Sequence, residues 1–256
     1  AAPAAPDFSD ASWMTSTDVA PQLGADGDPT AYGWYRATFN ATASGPAKLA
    51  GKFMDHATVF LNGLPVGVAH DQSELSLDLK SGPNTLAVFV SHHGREKAFN
   101  YVEKPIDTYY PKGILGPVTI SQDNQTLPVT GWKLHGGISS PSAPELKWEA
   151  APAQNLGVPA FFSTQFEAMA ATSSGPRPIY RLSTKGLSRG SVWLNGHNLG
   201  RYPEQINIDG PYLPECWLKD GTNSLVLFDE EGHVPTSSVH LWCERAASRE
   251  IFQVKE

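Results

Sequence analysis

Apolar and polar residues alternate in short runs along most of the chain, and turn residues interrupt the runs at close intervals. In 31–39, AYGWYRATF, Trp34, Arg36 and Thr38 fall on one side and Tyr35, Ala37 and Phe39 on the other. That two-residue period is the mark of a strand. Further strands are predicted over 48–53, 56–61, 64–68, 74–79, 85–90 and 114–120. In the second half they are predicted over 131–134, 160–166, 179–183, 191–194, 223–228 and 239–245. Helix-compatible stretches are short throughout. Asn62-Gly63 and Asn195-Gly196 each sit between two such runs, and Asn-Gly supplies the positive φ angles of a type I′ hairpin turn.

The two Asn-Gly pairs lie 133 residues apart (195 − 62), about one domain length. VFLNGLPVG surrounds the first and VWLNGHNLG the second. AYGWYRATF precedes the first as AFFSTQF, 160–166, precedes the second, and 84–89 corresponds to 223–228. The shared order predicts an all-β chain of two tandem sandwiches, 1–121 and 122–256, with the boundary near 121–130. Residues 1–6, AAPAAP, read as a disordered linker or processed end. Residues 7–13 read as a capped turn that sets Trp13 on an apolar surface, and 15–30 and 136–158 as surface loops.

A length of 256 residues accommodates one large or two ordinary domains. Gly 23 and Pro 21, with aromatics scattered through strand-like runs, fit a sandwich with many turns. The net charge of −7, with no basic block, argues against a nucleic-acid partner, whose phosphates need a positive footprint. No apolar run reaches the roughly 20 residues of a bilayer-spanning helix, so no membrane partner is expected, and no signal-peptide pattern opens the chain. Cys216 and Cys243 fit either two buried thiols or one disulfide, which spacing does not decide. The sequons at Asn40 and Asn124 would accept glycans in a secreted eukaryotic chain, and a secreted, extracellular or periplasmic location is expected.

At these motifs the chain resembles a known family. VWLNGHNLGRY, Gly210-Pro211, Tyr212-Leu213-Pro214, Trp217-Leu218-Lys219 and SLVLFDEE resemble the C-terminal β-domain of family 35 β-galactosidases. YGWYRATF, VFLNGLPVG, NTLAVFVSHHGRE and KGILGPVTI resemble the galactose-binding-like jelly rolls that accompany family 35 and family 2 glycosidases. The resemblance spans residues 7–253. It departs at Pro203, where those enzymes often carry Trp after Gly-Arg-Tyr, and nothing here matches their catalytic barrel with its two glutamates. It implies two tandem jelly-roll, galactose-binding-domain-like sandwiches. It also implies a non-catalytic accessory region that braces the barrel of a β-galactosidase-like glycoside hydrolase and contacts substrate. The partners would be carbohydrate and a catalytic glycosidase domain or chain. Two other functions stay open: a stand-alone carbohydrate-binding module that anchors an enzyme to a polysaccharide, and an independent hydrolase with an unrecognised site.

The loop over 91–111 is the leading ligand candidate, because sugars are held by aromatic faces and planar polar groups. It combines Arg95, Glu96, Lys97 and Asn100 with Phe99, Tyr101, Tyr109 and Tyr110. Packing on a catalytic domain is the competing use of the same residues, and a plain surface loop a third. Arg201 and Tyr202 read as bracing a neighbouring strand or domain. His92-His93 point oppositely from one strand and suit a structural role before a sugar contact. Asp26-Gly-Asp28 offers two of the carboxylates of a calcium loop but lacks further ligands at loop spacing, so no cofactor and no metal are expected. Asp229-Glu230-Glu231 reads as a solvated strand end rather than a catalytic pair. Trp34, Tyr35 and Trp193 read as core, and Asn62 and Asn195 as turn residues.

Overall fold

The computed structural model describes residues 3–94, 111–138, 147–169, 178–202 and 210–244. Among these the protein is all-β, with one short 3-10 turn at Glu215–Trp217. By backbone contacts the chain divides into two compact units, Ala1–Ile138 and Ser139–Glu256.

The first unit contains β1 (Met14–Ser16), β2 (Tyr32–Ala41), β3 (Gly45–Leu61), β4 (Leu64–Leu79), β5 (Gly82–Ser91), β6 (Gly113–Gln122), β7 (Gln125–Val129) and β8 (Trp132–Gly136). They form one antiparallel sheet in the order β1-β8-β2-β5-β3-β6-β7, with β4 on the other edge of β3. Two pairs of predicted strands fuse, 48–53 with 56–61 into β3, and 64–68 with 74–79 into β4. Bulges between Phe53 and Ala57 and between Val59 and Phe60 absorb the polar break, so the strand bends instead of ending. The bend lets β3 share one edge between two partners. Its first half pairs β6 and its second half pairs β5. The sheet therefore curls around a core that includes Tyr35, Leu49, Phe53, Val59, Leu86, Val88, Ile114 and Trp132.

Residues 122–138, read from the sequence as the opening of the second domain, form β7 and β8. These pair with β6, and with β1 and β2, of the first sheet. The N-terminal segment also differs from the disordered linker expected over 1–6. Ala4 is buried, the Pro3 and Ala5 carbonyls accept from Arg36 Nη1, and the Arg36 guanidinium lies over Phe8. Asp10 completes the clasp by accepting from Arg36 Nε at 2.9 Å and from Lys133 Nζ at 2.5 Å. Burial pushes the Asp10 carboxyl up, but these two cations outweigh it and hold it below its ordinary value.

The second unit holds β9 (Ala160–Ala168), β10 (Ile179–Thr184), β11 (Gly190–Leu194), β12 (His197–Tyr202), β13 (Tyr212–Leu213), β14 (Gly221–Asp229) and β15 (Val239–Glu244). One antiparallel sheet runs β12-β11-β14-β9 and a second runs β13-β10-β15. Leu182, Val192, Leu194, Leu213, Leu225 and Leu227 belong to the core of this unit.

The hairpins carry matching interiors. Asn62 and Gly63 have φ of 53° and 87°, and Asn195 and Gly196 have 50° and 86°, which is the type I′ geometry the sequence predicts. On the sheet face turned away from the core residues, Trp34 contacts Phe89 at 5.0 Å and Phe60 at 5.6 Å. Phe161 contacts Phe228 at 4.9 Å and Trp193 at 6.0 Å in the same strand relationship. Trp193 is thus buried, but on the face opposite Val192 and Leu194.

Candidate functional site

The register of the first sheet brings four strand ends, those of β2, β5, β6 and β8, to the bend in the middle of β3. Tyr32 of β2 pairs with Ser91 of β5, Ser91 with His56 of β3, Met54 with Gly113 of β6, and Gly33 with Gly136 of β8. Ala69 at the matching point of β4 pairs with Ala57. Polar residues sit at the bend of β3 and β4, just beyond the end of β5 and just before β6, so Asp55, His56, His70, His92, His93 and Lys112 converge there.

Lys112 is the centre of this cluster. It is only 2% exposed, and its Nζ donates to both oxygens of Asp55 at 2.7 Å. The His93 N–H donates to Asp55 Oδ2 at 2.7 Å. Burial pushes the Asp55 carboxyl up, but the Lys112 ammonium and the His93 N–H outweigh it and hold it below the ordinary carboxylate value. The Asp55 carbonyl accepts from His70 Nδ1 at 3.1 Å, and the His70 ring meets the buried His56 ring edge-on at 4.8 Å. His92 is half-buried. Its N–H donates to the Ala31 carbonyl at 2.9 Å, and its Nδ1 accepts from Gly94 N at 3.0 Å.

Beside His92 an open groove of about 590 Å³ runs along the 22–30 loop. Asp26 and Asp28 shape that loop. Asp26 Oδ2 accepts from Gly136 N, and Asp28 Oδ1 accepts from Thr30 N at 2.7 Å and from Thr30 Oγ1. Their oxygens thus serve backbone turns. Among the described residues no three His, Cys, Asp or Glu side chains gather as metal ligands. This end of the unit offers histidine rings and backbone polar groups next to a groove, which suits hydrogen bonding to a hydroxyl-rich ligand. Asp55 is engaged by Lys112 and so is not placed as a free acid or base.

The ligand candidates Arg95, Glu96, Lys97, Asn100, Tyr101, Tyr109 and Tyr110 lie outside the described residues. No motif in the sequence marks Asp55, His56, His70 or Lys112. The available signal was a charged residue inside the apolar run KFMDHATVFL, where an unpaired carboxylate would be costly.

The corresponding end of the second unit is closed by charge. Arg201 Nη2 donates to Glu230 Oε1 at 2.9 Å, and Arg189 Nε lies 3.9 Å from Glu230 Oε2. Tyr202 OH donates to the Phe228 carbonyl and to Asp229 Oδ2, both at 2.9 Å. Arg201 and Tyr202 thus join β12 to the end of β14 within one unit. Asp229 and Glu230 are fully buried, which corrects the solvated strand end expected there. Asp229 accepts from Ser188 N and Oγ and from the backbone of Glu231 and His233, so five donors including Tyr202 replace water. A carboxylate held in that way has no access to a glycosidic bond. Cys216 and Cys243 are both free and exposed, contrary to the buried thiols or disulfide expected.

Residues 159–223 match the family model described as the galactose-binding domain of β-galactosidase. That stretch of the second unit, from the start of β9 into β14, is thus similar to a galactose-binding β-domain of β-galactosidase. The chain is 29% identical over 213 residues to human β-galactosidase-1-like protein 2, covering 80% of this chain and 30% of that protein. It is 26% identical over 239 residues to β-galactosidase 13 of Arabidopsis thaliana, covering 81% of this chain and 27% of that protein. The chain thus spans under a third of the length of these two curated relatives. Among solved structures, the apo lectin of Pleurotus ostreatus aligns over 92% of this chain and 85% of its own, with 14% identity and a TM-score of 0.33, too loose a likeness to carry anything over.

Proposed function

We propose that the chain is a non-catalytic, carbohydrate-associated accessory region of a β-galactosidase-like glycoside hydrolase. It braces the catalytic barrel and lines the approach to the substrate. The observation that carries this reading is the asymmetry of the match. The likeness runs through about four-fifths of this chain yet takes up under a third of either relative. The buried, fully engaged Asp229 and the Arg-paired Glu230 support it, because neither is placed as the acid or nucleophile of a glycosidase. The polar end of the first unit, with His92 beside its groove, is the surface best suited to face a sugar substrate.

The reading extends to an extracellular or periplasmic location, supported by the exposure of both sequon asparagines, Asn40 and Asn124. Two assays test the accessory role. The purified chain should not turn over p-nitrophenyl β-galactoside, and turnover by the chain alone would sink the proposal. Mixed with a β-galactosidase barrel that lacks its own β-domains, it should raise the barrel's melting temperature. An unchanged melt would count against bracing.

A further inference from the structure

The outer face of the β13-β10-β15 sheet carries a feature that the accessory role does not use. Tyr180, Leu182, Leu213, Val239 and Leu241 turn toward the core of the second unit. Strand alternation then puts Tyr212, Arg181, His240, Trp242 and Glu244 on the opposite face. The register is specific: Arg181 on the central strand lies opposite Tyr212 on one side and Trp242 on the other. The Cα atoms of Tyr212 and Trp242 are therefore two strand spacings apart, about 10 Å. The half-buried Trp242 ring leans across the sheet, its Cη2 3.0 Å from where a Cβ on Gly210 would stand.

These side chains are locked together. The Arg181 guanidinium lies 3.9 Å from the Tyr212 ring centroid and donates to the Tyr212 hydroxyl and, at 3.2 Å, to the Gly210 carbonyl. Arg181 Nε pairs with Glu244 Oε1 at 2.6 Å. The His240 ring sits 5.7 Å from Trp242. One face of the Tyr212 ring rests on the guanidinium, yet the residue is 55% exposed, which leaves the opposite face to solvent.

We propose that this face is a binding platform for a neutral oligosaccharide chain, with the exposed Tyr212 ring as the stacking surface and the half-buried Trp242 beside it as its floor. The proposal rests on the carbohydrate-associated reading above and adds to it a separate site. An exposed ring already fixed by a guanidinium loses little freedom when a pyranose stacks on it. A face three strands wide, with Tyr212 on one side of Arg181 and Trp242 on the other, is broader than one sugar ring. Pairing of Arg181 with Glu244, and a chain charge of −7, favour an uncharged glycan over an acidic one. The aromatics are also interleaved with ionic groups, whereas a protein-docking face would present a continuous apolar centre.

The test is native affinity electrophoresis of the full chain in gels cast with β-1,4-galactan, xylan or glucomannan. At least one polymer should retard the protein. Tyr212→Ala should weaken that binding roughly tenfold, the loss of one stacking contact, while Tyr212→Phe should retain most of it. Because the residue is largely exposed, the melting temperature of Tyr212→Ala should stay near that of the parent. Free galactose, a single ring, should not relieve the retardation. Migration unaffected by every polymer would overturn the platform, as would relief by millimolar galactose. Retardation unchanged in Tyr212→Ala would also overturn it, while leaving the accessory role standing with its sugar contact elsewhere. Self-association abolished by Tyr212→Ala, without polymer binding, would make the face a protein contact instead.

Discussion

The side-chain amide of Asn195 donates to Asn223 Oδ1 at 2.8 Å across 28 residues of chain, and Asn62 meets Asn84 in the same way at 2.9 Å across 22. The second asparagine of each pair is almost completely buried. Asn223 also bonds Lys219 N, Lys219 O and the Gly221 carbonyl, and Asn84 bonds Lys80 N, Lys80 O and the Gly82 carbonyl. Asn195 Oδ1 accepts from Ser224 N as Asn62 Oδ1 accepts from Thr85 N, both at 2.9 Å. Each hairpin tip is thus tied to the loop that enters the neighbouring strand. Asn223→Ala would orphan several buried polar groups at once and should cost about 2–4 kcal/mol. Asn84→Ala should do the same to the first unit. Urea unfolding followed by fluorescence should show each variant moving one transition and sparing the other; equal shifts of both would mean that the units unfold together.

The buried Lys112–Asp55 pair gives a second expectation. Lys112→Ala strands a partly buried carboxylate and should cost about 3–5 kcal/mol. The pH dependence follows from the direction of the shift. The Asp55 value is lower in the folded state, so the unfolded chain binds more protons near pH 4. Its stabilisation is present above the ordinary carboxylate value and is lost as pH falls through the folded one. Asp10 behaves likewise. Asp55→Asn should flatten the acid limb of the first unit's stability curve, and an acid limb as steep as the parent's would refute that assignment.

Gly190 has no room for a side chain. A Cβ there would stand 1.6 Å from the Phe228 carbonyl oxygen, which is backbone and cannot swing aside. Gly190→Ala should therefore push β11 off β14 and cost more than about 3 kcal/mol. Circular dichroism melts read the loss directly.

Arg201 and Glu230 should couple. Removing Arg201 leaves a buried carboxylate with Arg189 at 3.9 Å, so Arg201→Ala should cost about 1–3 kcal/mol. Adding Glu230→Gln should recover part of it. A double-mutant cycle with no coupling would show that the contact contributes nothing.

Both thiols should react with a disulfide reagent in the native state, because Cys216 and Cys243 are exposed and unbridged. Titration should count two equivalents without denaturant, and reducing agent should leave the melting temperature where it was.

Local patterns were legible in the sequence where one stretch carries its own reason. Alternation around Trp34 and the Asn-Gly pairs at 62–63 and 195–196 predict strands and turns, because those signals lie within a few residues. Partners distant in the chain were not legible. Nothing near Asn195 names Asn223. Nothing near Asp229 shows that Ser188, Tyr202 and two later backbone N–H groups will surround it, so a buried acid reads as a solvated one. Nothing near Arg36 shows that residues 3–10 will fold over its side chain. The same limit applies to the Tyr212 platform, where β13 and β15 meet only through β10. The tyrosine-rich loop drew attention by composition, whereas Arg181 and Trp242 stand 61 residues apart (242 − 181).

The place of β8 between β1 and β2 has a consequence for synthesis. Trp132 to Gly136 must pair with Met14 to Ser16 on one edge and with Gly33 to Arg36 on the other. As the chain leaves the ribosome, β1 and β2 emerge first and wait, their facing edges unpaired, until more than 90 further residues have been made. The β1–β8–β2 side of the first unit therefore closes late, and until then its exposed strand edges are open to pairing with other nascent chains.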